Sequence, residues 1–171
     1  ADINETLECW EIALKSKNTP SVIALSRQKV PYINPNNSKK NKSENGAYEV
    51  KITSHESNIT LIASGTEVEL ALKVQDKLKE NNIHSKVISM PCMELFDRQS
   101  EKYKKDLIEE DSFVVTLEAG SIISWQKYIK KNGLNLGIDQ FGESAPYKEV
   151  YDHFSLTEEK ITNFIQKKLR E

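Results

Sequence analysis

Between residues 47 and 171 short apolar runs alternate with longer amphipathic ones, and that alternation constrains the fold more than any other feature. "AYEVKI" (47–52) alternates like an edge strand, whereas "ITLIAS" (59–64), "KVISM" (86–90), "FVVTLE" (113–118) and "LNLGID" (134–139) read as buried strands. Between them lie helical stretches. The run 67–80 carries Val68, Ala71, Leu72 and Leu78 on one side, and Thr66 with Glu69 has capping-box spacing. The last, 158–169, sets Ile161, Ile165 and Leu169 four apart with Phe164 alongside, and Leu156 can staple onto Ile161 across a Thr157 cap. The expectation is an α/β fold: a mostly parallel, twisted sheet covered by helices on both faces, with one antiparallel edge strand.

The first 46 residues do not fit that pattern. Residues 2–15 read as a helix, with Asp2 and Glu5 at capping-box spacing and Leu7, Trp10 and Leu14 on one face. A turn through Pro20 and a short strand, Val22 to Leu25, follow. One helix and one strand cannot bury both faces, so residues 1–28 are expected to be the end of a neighbouring domain. The opening "ADINE", already inside that helix, makes the chain look like a fragment. Residues 29–46, "KVPYINPNNSKKNKSENG", bury too little apolar surface to offset their ordering entropy and are expected to be a linker. Residues 47–171 would then be a second domain.

Composition narrows the function classes. Charged residues make up 29% and apolar ones 37%, and no apolar run approaches the ~18 residues of a membrane span. A net charge of −2 argues against a large nucleic-acid footprint, and the one basic cluster, Lys39-Lys40-Asn41-Lys42, sits in the polar linker. Cys9 and Cys92 have no metal-ligand spacing and read as ordinary thiols of a reduced, cytoplasmic protein.

Several residues are candidates for chemistry. Gly65 and Gly120 each follow a strand and precede a helical stretch, where an anion could sit, but neither belongs to a G-x-G-x-x-G or P-loop pattern. Both read first as tight turns, Gly65 with Thr66 as its cap. Ser144 is placed to cap a helix with Pro146 in its first turn. Glu118 ends a strand, where a carboxylate could be a general base, yet no His or Cys neighbours it in sequence, so it reads as structural. His55, His84 and His153 have no partner at metal spacing, and Asp2 is explained as a cap. Arg27 stands apart. Its always-charged planar fork matches two phosphate oxygens, and the strand before it would lift it to the ligand-facing edge of a sheet. Anion binding and a salt bridge both remain open on this ground.

"TPSVIALSRQKVP" resembles the end of the pyrimidine-binding domain of transketolases. "GAYEV", "LIASGTEVELALKVQDKL", "VISMPCMELFDRQSEKYKKDLI", "EAGSIISWQKY" and "GIDQFGESAPYKEVYDHF" are similar, in order and spacing, to the carboxyl-terminal domain of that family. Together they cover nearly the whole chain, with the linker matching only loosely. The resemblance implies an enzyme that uses thiamine diphosphate and a divalent cation, magnesium or calcium. It would move a two-carbon ketol unit from ketose to aldose phosphates in the pentose phosphate pathway, as a homodimer.

Within that resemblance Arg27, the arginine of Ser26-Arg27-Gln28, is expected to contact the substrate phosphate. The cofactor- and metal-binding motifs of the family are not in this chain, so no catalytic, cofactor or metal residue is assigned and the chain alone is expected to be inactive. The alternatives are a related thiamine enzyme such as dihydroxyacetone synthase, or a free-standing small-molecule-binding or regulatory module on residues 47–171. A deoxyxylulose phosphate synthase is disfavoured, because Ser26-Arg27-Gln28 stands where that family has a Tyr-Pro-Arg-Gly type ending.

Overall fold

The computed structural model describes residues 1–33, 40–51, 57–129 and 133–171. Its centre is a five-stranded sheet: β1 (Tyr48–Glu49), β2 (Ile59–Ala63), β3 (Ser85–Ser89), β4 (Phe113–Leu117) and β5 (Gly133–Leu136). The spatial order is β1-β3-β2-β4-β5. β3, β2, β4 and β5 run parallel, and β1 pairs antiparallel with β3 at the edge, Tyr48 opposite Ser89. The expected α/β architecture is the observed one.

Alternation along the buried strands builds two cores. On one face Ile59, Leu61 and Ala63 of β2 pack with Val87, Val115 and Leu117 against α2 (Glu67–Glu80) and α6 (Glu158–Lys168). Val68, Ala71 and Leu78 of α2 and Ile161 and Ile165 of α6 are fully buried there. On the other face Ile62, Ile88 and Val114 meet Phe96 of α3 (Met93–Asp97) and Ile108, which follows α4 (Glu101–Leu107). Trp125 and Tyr128, from a 3-10 helix (Ile123–Tyr128), complete that face. The Thr60 side chain shares a 2.6 Å hydrogen bond with Ser112, which satisfies a hydroxyl buried in the central strand.

Local signals held in part. Thr157 caps α6, accepting from the Lys160 amide, and Leu156 and Ile161 are both buried beside it as the staple requires. Leu169, expected on the apolar face, is half-exposed at the C-cap, one residue past the helix. Thr66 does not cap α2: its backbone is already helical, and its hydroxyl donates instead to Glu67 at 2.7 Å. Ser144 does not cap α5 (Tyr147–His153) either, because the helix starts later, with Pro146 at its N-cap. β5 stops at Leu136, short of residue 139, because the chain leaves the ladder to bond the β4 loop. Ile138 N–H donates to Gly120 O at 2.7 Å, and Asp139 accepts from Ser121 and from Ile122 N–H.

The amino-terminal helix α1 (Ile3–Lys15) forms as expected, and Asp2 caps it by accepting from Glu5 N–H at 3.0 Å. Glu5 turns away from the capping box into the protein. It accepts from Tyr48 Oη at 2.9 Å and from Ser89, so the polar face of α1 is fixed to the sheet edge. Glu8 takes the backbone and side chain of Ser43, which opens a 3-10 turn (Ser43–Asn45). Gly46 ends that turn at φ +80°, where an added Cβ would strike Phe96 N and Cys92 O. The apolar face of α1, with Leu7, Trp10 and Leu14, is exposed.

The strand expected at 22–25 is not a hydrogen-bonded strand. Val22 is 96% exposed, and this segment pairs with no described strand. A strand is stable only through its neighbours, so the apolar pattern alone leaves residues 20–26 without regular structure.

Candidate functional site

Arg27 lies on this exposed segment, flanked by the exposed Ser26 and Gln28. Among the described residues none takes up its guanidinium donors in a hydrogen bond or an ion pair. The salt-bridge reading of Arg27 therefore finds no partner among the described residues. The segment follows α1, whose hold on the sheet edge through Glu5, Tyr48 and Ser89 fixes where it departs from the domain.

The second candidate region is the carboxyl edge of the sheet, where β2 and β4 end side by side. The chain leaves β2 through Gly65, whose φ of +55° is the left-handed conformation that glycine adopts without strain. The first amides of α2 turn back on Ser64, Gly65 and Thr66 carbonyls at 3.2–3.4 Å, and Glu67 is buried against the same turn. Spent amides and a carboxylate leave poor conditions for an anion here. The junction at Gly120 leads into the 3-10 helix rather than an α-helix, with Glu118 folded over it.

Glu118 does gather partners. Its carboxylate accepts from Trp125 Nε1 at 3.0 Å. Burial, with the nearby Glu67 charge adding to it, pushes the Glu118 carboxyl above the usual glutamate range against the opposing effect of the Trp125 hydrogen bond. Glu67 in turn accepts from Thr66 and from Tyr151 Oη of α5. Sequence reading singled out Glu118 but missed Glu67, Trp125 and Tyr151. The signal for Glu67 was available: adjacent parallel strands put the residues just after them at neighbouring positions.

The remaining candidates stay apart. His84 precedes β3, His153 ends α5 with its ring edge-on to Phe154, and His55 falls outside the described residues. Cys9 is pushed up to about 11 by burial and the Glu5 charge, and burial raises Cys92 as well, so both are thiols rather than reactive thiolates. No group of three or more His, Cys, Asp or Glu among the described residues could hold a metal ion. No helix among them is long and apolar enough to cross a membrane.

Residues 46–157 match the family model described as the transketolase-like TK C-terminal domain. The chain belongs to this transketolase family. The transketolase of Sinorhizobium medicae is 40% identical over 94% of this chain, and that of Aquifex aeolicus 37% identical over 98%. These matches take up 23% and 25% of the relatives, so the chain spans about a quarter of their length. Among solved structures, a transketolase variant from Pichia stipitis in complex with fructose-6-phosphate superposes with a TM-score of 0.90. It is 30% identical and covers 99% of this chain and 24% of that one. The match to transketolases thus extends beyond the family model into the segment that carries Arg27.

Proposed function

We propose that this chain is the carboxyl-terminal part of a transketolase that moves a two-carbon ketol unit between sugar phosphates in the pentose phosphate pathway. The observation that carries the reading is the likeness to transketolases along nearly the whole chain, including the amino-terminal segment outside the C-terminal-domain model. Residues 1–28 are then the end of the pyrimidine-binding domain, 29–46 a linker, and 47–171 the carboxyl-terminal domain. The exposed apolar face of α1 and the unpaired apolar run 22–25 support that division, since both are built to pack on something larger.

In this reading Arg27 binds the substrate phosphate. Its fork is exposed and has no partner among the described residues, as a phosphate ligand requires. Held at the far end of the sugar, a phosphate clamp supplies binding energy remote from the reacting carbon and fixes where that carbon lies. Thiamine diphosphate with a divalent cation would supply the carbon–carbon chemistry. Beyond the Arg27 clamp, no step of the reaction is assigned to this chain's own residues. The homodimer and the cytoplasmic setting belong to the same proposal.

The direct test is to purify the complete polypeptide that carries this sequence. It is assayed for ketol transfer from a ketose phosphate to an aldose phosphate, with thiamine diphosphate and magnesium. Transfer to aldose phosphates supports the assignment. Transfer to formaldehyde alone would favour a dihydroxyacetone synthase, and no transfer at all would favour the free-standing binding module.

A further inference from the structure

The segment that carries Arg27 leaves α1 at its carboxyl end and comes back to its amino end. Residues 16–32 are exposed except for the partly buried Ile23. Ile33, where the chain returns, is partly buried and packs on the core that α2 and α6 cover. Its backbone N–H donates to Asp2 Oδ2 at 3.1 Å. Beside it the Asn4 side chain donates to Tyr32 Oη at 3.0 Å. The excursion therefore closes on the first turn of α1, the helix already fixed to the sheet edge through Glu5.

Asp2 serves two backbone donors at once. Oδ1 accepts from Glu5 N–H as the helix cap, and Oδ2 accepts from Ile33 N–H, 31 residues away in the chain. The residue is only 4% exposed, so both bonds are made out of water. A cap needs one acceptor oxygen, which Ser, Thr or Asn supplies as readily as Asp. A carboxylate adds a second acceptor on the same short stem. The cap accounts for Oδ1 and gives no reason for Oδ2.

Closure matters for what the excursion carries. An exposed chain held at one end samples a wide volume. Held at both ends it samples a smaller one, and that ordering is complete before any ligand arrives. Arg27 lies inside the closed stretch.

We propose that Asp2 is a positioning residue for the Arg27 phosphate clamp: its carboxylate grips the Ile33 amide while it caps α1, and so closes the excursion that presents the guanidinium. The inference rests on the reading of Arg27 as the substrate-phosphate ligand. Asp2 has no part in the chemical step. It acts through the placement of Arg27, so its influence falls on KM for phosphorylated substrates and leaves kcat alone.

The test is a pair of substitutions in the complete enzyme. Asp2→Asn keeps the side-chain size and turns one acceptor oxygen into an NH2 donor, so one of the two backbone N–H groups loses its acceptor. Asp2→Ser keeps a capping oxygen on a shorter stem, and it serves if Asp2→Asn does not yield folded enzyme. Either change should raise KM for a phosphorylated acceptor about tenfold, the scale of one lost buried hydrogen bond, with kcat held. KM for the unphosphorylated counterpart should stay where it is. Hydrogen exchange of the peptide around Ile33 should become faster. In an Arg27→Ala background neither change should move KM further, because the two residues act as one unit.

The two readings fail differently. If Arg27→Ala removes the preference for the phosphorylated acceptor and both Asp2 variants keep it, the positioning role is overturned and the phosphate reading stands. If Arg27→Ala itself keeps the preference, the phosphate reading falls and the inference falls with it. Equal KM increases for both acceptors, or unchanged exchange at Ile33, would leave Asp2 a helix cap only and overturn the proposal.

Discussion

The Tyr48 hydroxyl donates to Glu5 at 2.9 Å, joining α1 to the edge strand across 43 residues of chain. Ser89, opposite Tyr48 in the β1–β3 ladder, donates to the same oxygen. The amino-terminal helix is thus held by its polar face while its apolar face stays open, the reverse of an ordinary surface helix. Tyr48→Phe removes one of these donors and leaves a buried carboxylate short of a partner, which costs about 1–3 kcal/mol. Urea unfolding should show that loss as a lower midpoint with an unchanged slope.

The same burial governs alkaline behaviour. Tyr48 and Tyr151 are raised above the ordinary tyrosine range, each by burial first and then by a glutamate neighbour, and burial pushes Tyr128 up to about 12. Their folded values lie above the unfolded value of about 10, so their contribution is intact below that pH and is lost as pH rises through the folded values. Tyrosinate absorbance should show these three titrating above the ordinary tyrosine value, with unfolding free energy falling above about pH 10.

Gly46 and Gly65 both have positive φ but differ in surroundings. An added Cβ at Gly65 meets nothing within 4 Å, whereas at Gly46 it strikes backbone atoms of Phe96 and Cys92. Gly65→Ala should therefore cost only the left-handed penalty, about 1–2 kcal/mol. Gly46→Ala should cost clearly more and shift the packing of α3. Comparing the two unfolding midpoints checks the difference.

Trp10 and Trp125 provide an optical test of the open face of α1. Trp10 is 49% exposed and Trp125 only 1%. In the 171-residue chain, Trp10 fluorescence should be red-shifted and readily quenched by acrylamide, and Trp125 should be protected. In the complete polypeptide Trp10 should become protected too. The isolated chain should also show no ketol transfer, even with thiamine diphosphate and magnesium added.

Legibility followed the range of the interactions. All five sheet strands and the three long helices could be read because their apolar periods report burial within this chain. The run 22–25 misled because a strand pattern records what a segment is meant to pack on, not whether that partner is present. Thr66 and Ser144 misled for a local reason: capping spacing does not fix the residue at which a helix begins. Glu67 and Tyr151 meet across 84 residues, and no spacing rule reaches that far. Arg27 stands out in the sequence because a guanidinium just after an apolar run is chemically distinctive in one dimension, and its role is a proposal that the next measurement tests.

Arg27 gives the most direct measurement. In the complete enzyme, Arg27→Ala should raise KM for phosphorylated acceptors far more than for their unphosphorylated counterparts. Two charge-assisted hydrogen bonds at about 1.5–3 kcal/mol each set the expected ratio at roughly two to four decades. Equal effects on both acceptors would contradict the assignment of Arg27 to the substrate phosphate.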